Sequence, residues 1–134
     1  MLREFLEKLC TELGIVPTPK LNEKKSYSFR IAEGVEAELR DLEPGVAITG
    51  KVASCPEKRR EDLFLFLMRA NLLGQGTGGC RIGLDAHEKH LTLSLGLPYE
   101  MNYQTFRETL EDFINYLIYW REEVGKFEKE QHIL

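Results

Sequence analysis

The sequence predicts a single α+β domain over residues 1–134, an antiparallel five-stranded sheet packed with three helices in the order αβββαββα. Three observations predict it. Apolar residues recur at helical spacing near both ends of the chain and again before a glycine-rich stretch at 74–79. They alternate with polar residues through 27–52 and 82–97, and the breaks between these segments are short enough for hairpins. No linker-like stretch divides the 134 residues, and 43% hydrophobic with 30% charged content is the composition of one globular unit.

Each element carries its own signal. Leu2, Phe5, Leu6, Leu9 and Leu13 form one stripe of a first helix, ended by Gly14 and Pro17. Tyr27, Phe29 and Ile31, then Val35, Ala37 and Leu39, then Val46, Ile48 and Val52 alternate with Ser28, Arg30, Glu36, Glu38, Thr49 and Lys51. That alternation predicts a meander with one buried face, turning at Glu33-Gly34 and Glu43-Pro44-Gly45. A second helix is expected from Ser54-Cys55-Pro56-Glu57, with the serine as cap, the proline in the first turn and the glutamate completing a capping box, and it runs to Leu73. Ile82 and Leu84, then Leu91, Leu93, Leu95 and Leu97, predict two more strands about the turn at 86–89, stopped by Pro98. Asn102 is placed to cap the last helix, with Met101 and Phe106 spaced as a hydrophobic staple. Phe106, Leu110, Phe113, Ile114, Leu117, Trp120 and Val124 form its buried stripe, and residues 125–134 read as a charged, flexible tail.

The second helix has more apolar surface than one core can use. Leu63, Phe66, Leu67, Ala70 and Leu73 cluster on one side of it, and Phe64, Leu65, Met68 and Leu72 on the other. A domain of this size buries one face of a surface helix, so the second face needs a cover: another helix of the same chain, or a symmetry mate in an isologous dimer.

The rest of the sequence excludes more than it assigns. A net charge of −4 argues against nucleic acid as a partner, and the basic run Lys58-Arg59-Arg60 is flanked by Glu57, Glu61 and Asp62, as on a solvated helix start. No stretch has the length of a membrane span, and the N-terminus interleaves charges as no signal peptide does. Three cysteines without a C-x-x-C spacing suggest neither a disulfide framework nor a zinc site, so a reducing cytoplasm is expected. The glycine run at 74–79 follows a helix and precedes a strand, the reverse of a phosphate-binding loop, and His87 and His90 stand three apart in a turn where a zinc-protease pair needs four on a helix. No nucleophile elbow occurs, so no catalytic residue, metal or cofactor is expected.

The run LMRANLLGQGTGGCRIGLD, the strand HLTLSLGLPYE and a long final helix through Tyr119-Trp120-Arg121 together resemble the class I type III secretion chaperone family, of the Tir-chaperone (CesT) type. The likeness is most specific over residues 63–85, where Leu67, Ala70, Asn71, Gly78, Gly79 and Leu84 carry it. It implies a cytoplasmic bacterial homodimer, concerned with virulence, that holds the N-terminal chaperone-binding segment of a secreted effector in extended form, and a secretion-apparatus ATPase as a further partner. It also implies a dimer interface on helix 2 and the following strand, which assigns Phe64, Leu65, Met68 and Leu72 to that interface. Grooves involving helix 1 and the sheet are implied to receive the effector; Leu2, Phe5, Leu6, Phe29, Ile31, Val35, Leu39 and Ile48 are the candidates, each of which packing alone also explains. The competing reading is a small α+β adaptor whose partner is a folded protein.

Overall fold

The computed structural model describes residues 1–72 and 78–133, with side chains as far as Lys129. Its elements are α1 (Leu2–Leu13), β1 (Tyr27–Ala32), β2 (Val35–Asp41), β3 (Val46–Ser54), α2 (Arg60–Asn71), β4 (Arg81–Leu84), β5 (His90–Leu97) and α3 (Tyr103–Ile133). The strands form one antiparallel sheet in the order β1-β2-β3-β5-β4.

Two transverse rows show how alternation in the sequence becomes two faces. Phe29, Ala37, Gly50, Leu93 and Ile82 pair in succession across all five strands, and all five are buried. The neighbouring row, Ser28, Glu38, Thr49, Ser94 and Arg81, is polar throughout and partly or fully exposed. One face therefore packs and the other is solvated, the arrangement a half-buried antiparallel sheet requires. α3 crosses β3 and β2, α1 lies beside α3, and α2 rests against β4. Gly50 lets the Leu117 side chain of α3 pack directly on β3: a Cβ there would stand 2.7 Å from Cδ2 of Leu117, so a side chain at this position would force Leu117 to shift.

Local chemistry sets the ends of the elements. Gly14 closes α1 in the left-handed conformation at φ 70°, and the Ile15 N–H donates to the Cys10 carbonyl. Asn102 caps α3 as expected, its Oδ1 accepting from the Thr105 N–H at 2.8 Å. The start of α2 differs from expectation. Ser54 remains in β3, paired with His90, and the Cys55 N–H donates to the Lys89 carbonyl, so the backbone is still extended where a cap was expected. The helix begins only after Arg59, which takes a left-handed φ of 55° and provides no side-chain cap. Leu73 and the glycine run as far as Thr77 lie outside the described residues. Beyond residue 124, where charge suggested a tail, α3 continues to Ile133 and Phe127 is half-buried.

Asp85 organises the β4–β5 hairpin. Its Oδ1 accepts from the Lys89 N–H at 2.9 Å and the His90 N–H at 3.3 Å, while Oδ2 meets His90 Nδ1 at 2.8 Å. The His90 bond, with the backbone N–H groups assisting, holds the Asp85 carboxyl down at about 2. A depressed folded pKa means that this carboxylate stabilises the fold above the unfolded value of about 3.9, and that the contribution is lost as the pH falls through about 2. Asp85→Asn should therefore melt below the wild type at pH 6, and thermal scans should show the gap closing between pH 4 and pH 2.

Candidate partner-binding surfaces

Two surfaces remain unfinished in the isolated chain. The first is the outer face of α2, where Leu65, Met68 and Leu72 are 51%, 68% and 63% exposed at i, i+3 and i+7. Leu63 and Leu67 are buried on the opposite side. At about 100° per residue the two phenylalanines of this helix fall on opposite flanks of the line through Leu63 and Leu67, nearly equally far from it. Their neighbours decide which flank is covered. Phe64, expected on the free face, is half-buried under the Arg60 guanidinium, which lies 5.8 Å from its ring centre. Phe66, expected toward the core, is 39% exposed, with its ring 5.8 Å from Trp120 edge-on and 6.3 Å from Phe127 in a stack. Arg59 covers Phe127 in turn, its guanidinium carbon 5.1 Å from that ring centre. Phe127 continues the 4–3 spacing of Leu117, Trp120 and Val124, and that periodicity is the signal outweighed when the charge of residues 125–134 is read as a tail.

The second surface is the outer edge of β1 and the cleft beside it. Among the described residues, the backbone of Tyr27–Ala32 is hydrogen-bonded across to β2 and to no other segment. A cleft of about 290 Å³ adjoins this strand, lined by Leu9 and Leu13 of α1, Phe29 and Ile31 of β1, and Leu110 and Ile114 of α3. Arg107, also lining it, is 3.4 Å from Glu12, which accepts a hydrogen bond from the Tyr103 hydroxyl at 2.9 Å.

The eight residues proposed for the effector groove divide sharply by burial. Leu2, Leu6, Phe29, Leu39 and Ile48 belong to the core, none more than 2% exposed, because the apolar face of the sheet and the stripe of α1 meet there. Phe5 and Val35 are half-buried, with the Phe5 ring stacked 5.2 Å from Phe106. Ile31 is 41% exposed and faces the cleft. Leu13, 55% exposed, and Ile114 complete its apolar lining, although their spacing reads only as ordinary helix stripe.

Elsewhere the chemistry is quiet. Burial raises the Cys10 thiol and pushes Cys80 up to about 11, with the charge of Asp112 adding to the latter, so neither presents a thiolate near neutrality. Cys55 accepts a hydrogen bond from the Arg60 guanidinium at 3.3 Å. Arg59 pairs with Asp62 at 3.1 Å in solvent, an interaction of small energetic consequence. No helix among the described residues is long and apolar enough to cross a membrane, and no group of three metal-ligating side chains occurs among them.

Comparison with known proteins agrees with this architecture. A protein of Chlamydia pneumoniae is 25% identical over 127 residues, covering 93% of this chain and 97% of its own length. The crystal structure of the ExsC–ExsE complex contains a chain with a TM-score of 0.67 at 16% identity, covering 90% of this chain and 91% of its own. The Yersinia pestis type III secretion chaperone SycH, solved with a stable fragment of YscM2, matches with a TM-score of 0.64 at 18% identity, over 90% of this chain and 99% of its own. At such identities the structures establish a common fold. Membership comes from the family model of the Tir chaperone protein (CesT) family, which matches residues 4–121, and the chain accordingly belongs to that family of class I type III secretion chaperones.

Proposed function

We propose that this protein is a cytoplasmic, ATP-independent homodimeric chaperone that binds the N-terminal chaperone-binding segment of a type III secretion effector in extended form and keeps it competent for secretion. The observation that carries the reading is the open β1 edge beside an apolar cleft, in a chain of this family. An extended segment added to β1 gains main-chain hydrogen bonds, and its alternate side chains enter the cleft between α1 and α3. Ordering that segment costs free energy, so the contact has to be long and apolar, and Ile31, Leu13 and Ile114 provide its accessible part. The exposed Leu65, Met68 and Leu72, with Phe64 at their flank, supply the isologous interface between two copies. The role needs no cofactor and no catalytic group; delivery of the loaded client would bring the secretion ATPase as a further partner.

The test is capture of clients from the same gene neighbourhood that have disordered N-termini. Each should co-purify through its N-terminal segment alone, and deletion of that segment should abolish capture. Capture that requires a folded domain of the partner would overturn the reading in favour of an adaptor.

A further inference from the structure

We infer that Arg121 is a positioning residue for the client-receiving edge: its guanidinium is wedged between the tip of the β1–β2 hairpin and β3, and so holds β1 at the attitude that opens the cleft beside it. The ladder between β2 and β3 gives the first observation. Its register runs from Asp41 with Val46 to Ala37 with Gly50 and stops there, although β2 begins at Val35 and β3 runs on to Ser54. Beyond that point Glu36 and Val35 have register partners only in β1, at Arg30 and Ala32, and Lys51, Ala53 and Ser54 only in β5. The two parts of the sheet separate around a notch of about 560 Å³, lined by Gly34, Glu36, Lys51 and Arg121 among others.

The phase of the ladder shows what Arg121 replaces. In an antiparallel pair every second couple of facing residues exchanges N–H and C=O bonds. The Leu42 N–H donates to the Gly45 carbonyl at 3.0 Å, which makes Arg40 with Ala47 and Glu38 with Thr49 the next such couples, and Glu36 with Lys51 the one after. The Lys51 carbonyl accepts instead from Arg121 Nη1 at 3.1 Å. The rest of the guanidinium meets the turn: Gly34 has φ 79°, and a Cβ there would stand 3.0 Å from Arg121 Nη2. A half-buried side chain of α3 thus takes the place of a ladder donor and keeps the hairpin tip off β3. Ile31 has no partner in the β1–β2 register and stands in a bulge beside this tip, at the rim of the client cleft. Any movement of the tip therefore moves Ile31 against the α1 and α3 walls of that cleft. The consequence for clients rests on strand addition at β1, as proposed above; the wedge rests on the sheet alone.

Amide exchange reads the wedge without any client. Arg121→Met keeps the reach of the side chain and loses its donors, so the ladder can close by one more couple, and the Glu36 amide should exchange about tenfold more slowly than in the wild type. The Glu38 amide, already in the ladder, should not change. Arg121→Lys keeps a donor of similar reach, and Glu36 should stay within about twofold of wild type. A guanidinium that only braces the turn predicts the opposite sign, because its loss would loosen the hairpin and speed Glu36. The affinity of a captured N-terminal client segment, read by titration calorimetry, should fall about tenfold in Arg121→Met and hold in Arg121→Lys. Glu36 exchange unchanged or faster in Arg121→Met would overturn the wedge, and slower exchange with undiminished affinity would overturn its part in client positioning. A wild type that captures no N-terminal segment would count against the proposed function and take the client role with it, while the exchange result would still decide the wedge.

Discussion

Replacing Met68 and Leu72 together by glutamate is expected to turn the proposed dimer into folded monomers. Both side chains are more than 60% exposed in the single chain, so the change removes nothing from its core. In an isologous interface each substitution counts twice, and four side chains leave apolar contact. At about 1.5–3 kcal/mol for each buried side chain, the loss is at least about 6 kcal/mol, or roughly four orders of magnitude in the dimer dissociation constant. Light scattering at micromolar concentration should then report the mass of one chain, while far-UV circular dichroism stays that of the wild type. Retention of the dimer would show that another surface joins the copies. Leu63→Glu provides the contrast: it lies on the same helix but is fully buried, and should abolish folding.

The face of α2 that carries this prediction was legible in the sequence because helical phase is a property of spacing alone. Leu63 and Leu67 follow the core, and Leu65, Met68 and Leu72 fall opposite them. Spacing does not rank the flanks. Phe64 and Phe66 stand at similar angles to the core, and the Arg59–Phe127–Phe66 stack, which joins residues far apart in the chain, covers part of one of them. The start of α2 was misread for a related reason. Ser54 has the chemistry of a cap, but its pairing with His90 across β3 and β5 keeps the chain extended, and a partner 36 positions away leaves no local signal.

The sheet was legible for the complementary reason. Alternation puts Phe29, Ala37, Leu93 and Ile82 on one face and Ser28, Glu38, Thr49, Ser94 and Arg81 on the other, whatever the loops between strands do; which of them share a transverse row follows from strand order and register. The meander β1-β2-β3 and the β4–β5 hairpin were legible, but not that β5 is the strand that joins β3, and this junction is what makes β1 and β4 the edges. Asn71 shows the consequence: its two hydrogen bonds to the Ile82 backbone tie the end of α2 to β4, a contact that helical spacing does not reveal. The groove suffers from the same limit. Alternation marks Leu39 and Ile31 alike as residues of the apolar face, while position within the sheet separates them into centre and rim.

That separation yields a second large effect. Leu39→Asp is expected to leave the chain unfolded, because Leu39 is completely buried between Tyr27 and Ile48 of the adjoining strands. An unpaired carboxylate there, added to the lost apolar contact, costs roughly 4–5 kcal/mol or more, comparable to the whole stability of an ordinary domain. Ile31→Asp is expected to fold, with stability within about 1 kcal/mol of the wild type, since Ile31 stands at the open end of β1. Its effect falls on the client: one apolar contact of about 1.5–3 kcal/mol is lost from the cleft, and affinity should drop roughly tenfold to a hundredfold. Urea unfolding and titration calorimetry with a captured client segment measure the two quantities separately. Undiminished client affinity in a folded Ile31→Asp chain would remove the cleft from the binding surface, whereas the expected pair of results would place the client at the rim of the sheet, on residues that the core does not need.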